Sequence, residues 1–346
     1  MGGHLGISAS GECSDVNVND LNLSDVLSSE ENCCNSNASN SSLATDKSLA
    51  TDKSLATDKS SDCLSSPYDS KLIINSPEYN VVVRRLREFF YSKNFIEVST
   101  QNRLSILAAC EDPFNVETFM YNGVNWPLPQ TGQMWLEYEL LKHGTDKDVQ
   151  GYFCLTTSYR NEKNPVEGRH DLIFPLFEFE MKGDIHDLMD LEKELLIHLG
   201  YSQYNIKHEN YNKLAKHFQV EELDHDHELA LGEKSPTFFI MRFPELTHPF
   251  WNMKRVGGGL ANKVDIILSG YETIGSAERE CDPEKMRDCF NTIMDGKYRD
   301  KLYELFGKER TDKELDEYLK FDFFKRVGGG IGVTRLIRSM KAEKLI

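Results

Sequence analysis

Residues 159–180 read YRNEKNPVEGRHDLIFPLFEFE, two strand-like segments around a short loop of Glu, Lys, Arg and His. Side chains alternate along a strand. In the second segment Phe174, Leu176, Glu178 and Glu180 therefore share one face, and Phe177, Phe179 and Met181 share the other. In the first, Ser158, Arg160 and Glu162 share a face, alternating with Phe153, Leu155, Thr157 and Tyr159. One face is an aromatic and aliphatic core, and the other gathers arginine and glutamate. The second face has two readings. It is a solvated surface with cross-strand ion pairs worth about 0.2–1 kcal/mol each, or a polar floor for a charged ligand. Phe174 on that face favours the floor, because a large aromatic ring is useful to a nucleotide base and not to water.

The neighbouring segments extend the pattern. Ser76-Pro77 opens a helix with a cap residue and a first-turn proline, followed by Val82, Leu86, Phe89 and Phe90 at helical spacing. A strand-like FIEVS follows from Phe95, and an amphipathic helix is predicted from Gly132 to Lys142. Residues 152–160 and 174–181 are predicted as an antiparallel pair, with a helix over 187–198 and a strand at VDIILSG from Val264. GGGIGVTRLIRSM reads as a glycine run feeding a short helix, and the second glycine triplet, residues 257–259, reads as a turn. Strands and helices do not alternate regularly, so the expected class is α+β, an antiparallel sheet flanked by helices.

Composition sets two domains. Residues 1–66 contain no aromatic residue, are rich in Ser, Asn and Asp, and carry SLATDK three times in tandem. Such a segment buries too little apolar surface to offset its ordering entropy, so a disordered tail is expected before a folded domain over 67–346. The 56 acidic and 40 basic residues give a net charge of −16, against non-specific binding to nucleic acid or anionic membrane. There is no apolar run of about 18 residues and no signal-peptide pattern, so a cytoplasmic protein with no membrane partner is expected. The eight cysteines show no CxxC pair or zinc-type spacing and are expected as free thiols.

YRNE, the loop and RHDLIFPLFEFE resemble the second motif of class II aminoacyl-tRNA synthetases, and GGGIGVTRLIR resembles their third, with Arg335 at the motif arginine. DIILSGYETIGSAER resembles the aspartate/asparagine/lysine subgroup, while QTGQMWLE and FPELTHPFWNMK look most like its asparaginyl branch. The helix at 77–93 and the strand after it resemble the first motif, which implies a homodimer. Gln101 stands where that motif carries proline, Ile173 where an acid is usual and Ser276 where glycine is common.

The resemblance implies an AMP-forming ligase that uses ATP and Mg2+. A carboxylate, already ionised at neutral pH, attacks the α-phosphorus, so positioning and charge neutralisation carry the catalysis. By that pattern Arg160 clamps the α-phosphate, Glu162 holds the adenine amino group and Phe174 stacks on the ring. Arg169 or His170, with Arg335 and Gly332, holds the distal phosphates, and Asp265 and Glu272 bind Mg2+. Glu178 accepts the substrate ammonium with support from Gln133, and Arg279 reads the far end of aspartate or asparagine. Leu136 stands where aspartyl enzymes carry lysine, which points to the asparaginyl branch.

The 66 residues ahead of the domain are too polar for an anticodon-binding barrel. The leading expectation is therefore asparagine synthesis from aspartate and ammonia, as in free-standing relatives of this family. The alternatives are an asparaginyl- or aspartyl-type transfer to tRNA or another acceptor, and a non-catalytic paralogue.

Overall fold

The computed structural model describes residues 74–346 except 101, 110, 145, 167, 168, 246, 248 and 249. The expected tail and Gln101 lie outside the described residues. Asn75 caps the first helix, α1 (Ser76–Ser92), by accepting the Glu78 N–H at 3.0 Å, and Pro77 falls in its first turn. The cap is thus one residue before the Ser76 read from the sequence. Asparagine is as good a cap as serine, and its side chain reaches the open N–H.

The chain continues through β1 (Phe95–Glu97), a separate hairpin of β2 (Thr118–Tyr121) and β3 (Val124–Pro127), and α2 (Gln133–His143). The opening stretch then forms β4 (Gly151–Tyr159) and β5 (Ile173–Lys182), followed by α3 (Ile185–Leu199). Next come β6 (Ile206–Asn210), α4 (Tyr211–Phe218), α5 (His225–Lys234), β7 (Thr237–Pro244), β8 (Arg255–Gly257), β9 (Leu260–Leu268) and β10 (Tyr271–Glu278). Three helices, α6 (Pro283–Thr292), α7 (Lys297–Phe306) and α8 (Lys308–Tyr318), precede β11 (Arg326–Gly332) and α9 (Val333–Ala342).

Among the described residues the main sheet has nine strands, in the order β1-β4-β5-β11-β10-β9-β7-β6, with β8 against β9. Its centre is antiparallel, as the α+β reading requires, and its outer pairs β1–β4 and β6–β7 are parallel. Strands β4 and β5 pair antiparallel with Ser158 opposite Phe174 and Cys154 opposite Glu178. The second glycine triplet is the β8–β9 turn, with φ of +83°, +65° and +71°. The glycine run at 328–330 feeds the helix α9 as read, and it does so as part of a strand, β11, between β5 and β10. The reason for glycine there is side-chain traffic across the strand. A Cβ on Gly328 would come within 1.8 Å of Glu180 Oε2.

One face of the sheet carries the core. Phe153, Phe177, Phe179, Met181, Val264, Ile266 and Ile274 pack there with α1, α3 and α9. Phe153 stacks on Phe177 with ring centroids 5.2 Å apart, and Phe90 of α1 packs against both. Burying each such ring stabilises the fold by about 1.5–3 kcal/mol. That fixes which face of β4 and β5 turns inward and hence which face is left for Glu178 and Glu180.

Candidate active site

Glu178 is 2 % exposed and Glu180 0 %, so the charged face is not a solvated surface. Glu178 accepts from the Gly132 N–H at 2.7 Å and Thr156 Oγ1 at 2.7 Å, and from Thr131 Oγ1. Burial pushes its pKa up to about 7 against the pull of those three donors. Gln133 begins α2 beside this cradle and donates to Glu137 Oε1 at 3.0 Å.

Arg279 follows β10 and is 3 % exposed. It grips Glu180 through Nε and Nη2, both at 3.1 Å, and its Nε lies 3.8 Å from Glu137 Oε1. Glu137 in turn accepts from Arg326 at 2.7 and 2.9 Å, Tyr318 at 2.5 Å and Asn252 at 2.7 Å. Burial raises the pKa of Glu137, but Arg326 and Arg279 outweigh that and hold it below the carboxylate range. Burial pushes Glu180 up to about 7 in spite of Arg279. The result is a buried quartet of two acids and two arginines, neutral when both acids are ionised. Removing one member of such a set costs far more than an exposed pair is worth.

Arg160 leaves the end of β4, its backbone N–H bonded to the Leu172 carbonyl at 2.8 Å. Its guanidinium pairs with Glu111 and lies 5.4 Å from the centre of the Phe174 ring. Glu162 meets His170 Nδ1 at 2.8 Å and opens on a recess lined by Phe114 and Asn115. A larger groove, between Trp135 of α2 and Arg310 of α8, contains none of the candidate residues.

At the far end of the site, Arg335 in the first turn of α9 donates to the Glu272 carbonyl at 2.6 Å and to the Arg169 carbonyl at 3.4 Å. Arg169 pairs with Glu228 of α5, and Glu228 also accepts the Glu272 N–H at 3.0 Å. Gly332 sits at the β11–α9 junction, where an added Cβ would find Arg335 and Thr273 at ordinary contact distance. Asp265 and Glu272 converge. A Cβ on Gly275 would lie 3.3 Å from Glu272 Oε1 and 3.5 Å from Asp265 Oδ1. Burial pushes Asp265 up to about 7 against the charge of Lys263.

The structure therefore gathers Arg160, Phe174, Glu178, Arg279, Asp265, Glu272, Arg169 and Arg335 around one side of β4, β5, β11, β10 and β9. Sequence reading missed Glu111, Glu137, Glu180 as the partner of Arg279, Glu228, Lys263 and Arg326. Among the described residues no group of three or more His, Cys, Asp or Glu is placed to hold a metal. The orphaned Asp265 Oδ1 and the facing Glu272 carboxylate fit a hard divalent cation only if phosphate oxygens and water complete its shell. Cys154, Cys281 and Cys289 are free, as expected; the other cysteines lie outside the described residues. No described helix is long and apolar enough to cross a membrane.

Comparison with known proteins bears on the fold and the family. The family model of tRNA synthetases class II (D, K and N) matches residues 64–346. Asparaginyl-tRNA synthetase from Pyrococcus horikoshii, complexed with asparaginyl-adenylate, superposes with a TM-score of 0.61 at 20% identity, covering 76% of this chain and 64% of that one. The Entamoeba histolytica asparaginyl-tRNA synthetase with the same adenylate gives 0.62 at 17% identity over 77% and 63%. A putative aspartyl-tRNA synthetase from Leishmania major gives 0.59 at 14% identity over 76% and 61%. The chain thus spans less than two thirds of the length of these proteins. No curated protein matches it. The glycine strand beside Glu180, the arginines at both ends of the site and the match over residues 64–346 lead to one assignment: the chain belongs to the class II tRNA synthetase family, in its aspartate, lysine and asparagine group.

Proposed function

We propose that the protein activates asparagine with ATP, forming asparaginyl-adenylate and pyrophosphate. The observation that carries this reading is the Arg279–Glu180 pair. A primary carboxamide presents an acceptor oxygen and a donor nitrogen side by side. Arginine donates to the first and glutamate accepts from the second, with no change in the charge of the buried quartet. Glu178 takes the ammonium, and Arg160 faces the reacting carboxylate and α-phosphate.

The carboxylate oxygen bonds to the α-phosphorus while the bond to the bridging oxygen breaks and pyrophosphate departs. No proton moves, so this chain's residues act by alignment and by neutralising charge. Arg160 must exchange Glu111 for phosphate oxygens to do so. Glu162 and Phe174 hold the base, and Arg169 and Arg335 the leaving pyrophosphate. Asp265 and Glu272 would hold Mg2+, which supplies further neutralisation of the polyphosphate. The adenylate would then pass to an acceptor, with tRNA as the acceptor in this reading.

A second reading, asparagine synthesis from aspartate and ammonia, is supported by the raised pKa of Glu180, about 7. Protonated Glu180 would release Arg279 to pair with the α-carboxylate of aspartate. The side-chain carboxylate would then face ATP. Pyrophosphate exchange with asparagine, aspartate or lysine, followed by an acceptor screen with ammonia, hydroxylamine and bulk tRNA, decides between them. Asparagine-dependent exchange with AMP as the final nucleotide product supports the first reading. Exchange with aspartate alone and ammonia-dependent AMP supports the second. ADP and phosphate as the stoichiometric products would overturn both.

A further inference from the structure

Lys263 has no part in the reading above. It lies on β9 two residues before Asp265, on the site face, opposite Ala277 as Asp265 is opposite Gly275. Its ammonium pairs with Asp265 Oδ2 and is held 3.9 Å from the centre of the Phe243 ring. Both partners are largely buried, with side-chain exposures of 14% and 7%. The other carboxylate oxygen, Oδ1, has no hydrogen-bond partner and faces the spot to which Glu272 also turns. One half of the aspartate is thus neutralised from within the chain, and the other half is left open. The surrounding acids are treated alike: Glu228 pairs with Arg169, and Glu272 lies 3.8 Å from Arg335.

We propose that the Lys263 ammonium is a resident cation of this site that holds its affinity for divalent ions low until a polyphosphate arrives. The inference rests on the assignment of Asp265 and Glu272 to the nucleotide's metal. Two converging carboxylates attract a divalent ion, and a fixed positive charge on one of them opposes that attraction. The metal then enters with the triphosphate, whose oxygens supply the ligands that the two carboxylates do not.

The test is a titration of the full, nucleotide-free chain with Mn2+, followed by its electron paramagnetic resonance signal. Lys263→Met removes the charge and keeps most of the stem; Lys263→Arg keeps the charge. The expected result is that Lys263→Met binds Mn2+ at least about tenfold more tightly than wild type, a change of about 1.4 kcal/mol, while Lys263→Arg stays within about twofold. Because burial raises the pKa of Asp265 and the Lys263 charge holds it down, the comparison is made at rising pH, above about 7, until the binding of each variant no longer changes. Equal or weaker Mn2+ binding by Lys263→Met there overturns the proposal. Lys263→Gln makes the same comparison if the methionine variant does not fold. ATP affinity of the wild type is measured alongside. A chain that binds no ATP overturns the activation reading, whereas the Mn2+ comparison judges Lys263 independently of it.

Discussion

At the scale of single residues, the site is decided by which charges are already matched. Arg160, Glu178, Asp265, Glu272, Arg279 and Arg335 enter the candidate site from the sequence because each lies in a recognisable local pattern. Their partners do not. Glu137 and Arg326 come from α2 and β11, 189 positions apart, and no local spacing joins them. Glu228 reaches Arg169 across 59 positions. The Arg279–Glu180 pair yields the first prediction. Glu180→Gln keeps the size of the side chain and removes the charge that Arg279 now faces. Asparagine-dependent pyrophosphate exchange should fall about tenfold or more, the scale of one hydrogen bond to a charged group. Aspartate-dependent exchange should rise, because a carboxylate no longer competes with Glu180 for the guanidinium. Unchanged preference between the two amino acids would remove the support for carboxamide recognition. Glu228→Gln tests a different joint. It should weaken ATP binding, because Glu228 holds both Arg169 and the Glu272 backbone, and leave the ranking of amino acids unchanged in the same exchange assay.

At the scale of elements, period two was a sufficient guide for β4 and β5, because their core face is filled by large rings. It failed for β11, where glycine leaves no pattern to count. Glycine weakens a strand interior by about 0.5–1 kcal/mol relative to alanine, so a triplet there signals a close approach. Gly328 has one, with the Glu180 carboxylate and the Phe179 carbonyl where a Cβ would stand. Gly328→Ala should therefore cost about 1–3 kcal/mol, the usual range for overpacking. It should also disturb amino-acid use, because Glu180 must move off Arg279. Gly258→Ala, in the β8–β9 turn with open space around it, should cost about 1 kcal/mol through its positive φ alone, with exchange activity kept. Urea unfolding and pyrophosphate exchange on the two variants make the comparison. The helix α5 escaped sequence reading for a related reason. Leu231 is its one buried residue, so it carries no apolar stripe. Its signal was the cap, Asp224, which accepts the Asp226 and His227 N–H groups.

At the scale of the whole molecule, the main core joins α1, α3, α9 and the central strands using residues from Val82 to Met340. Deleting residues 1–60, a segment without aromatic residues, should therefore change unfolding free energy by less than about 1 kcal/mol, a typical single-mutation effect. A larger loss in urea unfolding would show that the segment docks. The described domain also buries several carboxyl groups that resist ionisation, and Glu192 of α3 is the clearest. It is 0 % exposed, and neither carboxyl oxygen makes a well-formed hydrogen bond, the Ser276 hydroxyl being the one donor that acts on it. Burial, with the charge of Asp265 adding to it, pushes its pKa from 4.5 up to about 8. In the unfolded chain the group loses its proton near the ordinary value, whereas the fold keeps it. Between the two values the folded state binds more protons, so stability falls as pH rises. The loss begins above the ordinary glutamate range and is complete once pH passes about 8. Glu192→Gln removes this dependence while keeping the shape of the side chain. The variant's advantage in urea unfolding should be small at about pH 5 and grow to a few kcal/mol at about pH 8. Glu178 and Glu180 also have raised values, about 7 each, and they tilt both curves alike. Asp265, likewise raised to about 7, acts on Glu192 through its charge, so the same comparison on an Asp265→Asn background isolates Glu192. A difference that does not change with pH would mean that the carboxyl ionises in the fold as readily as in water, and that the core around α3 admits solvent.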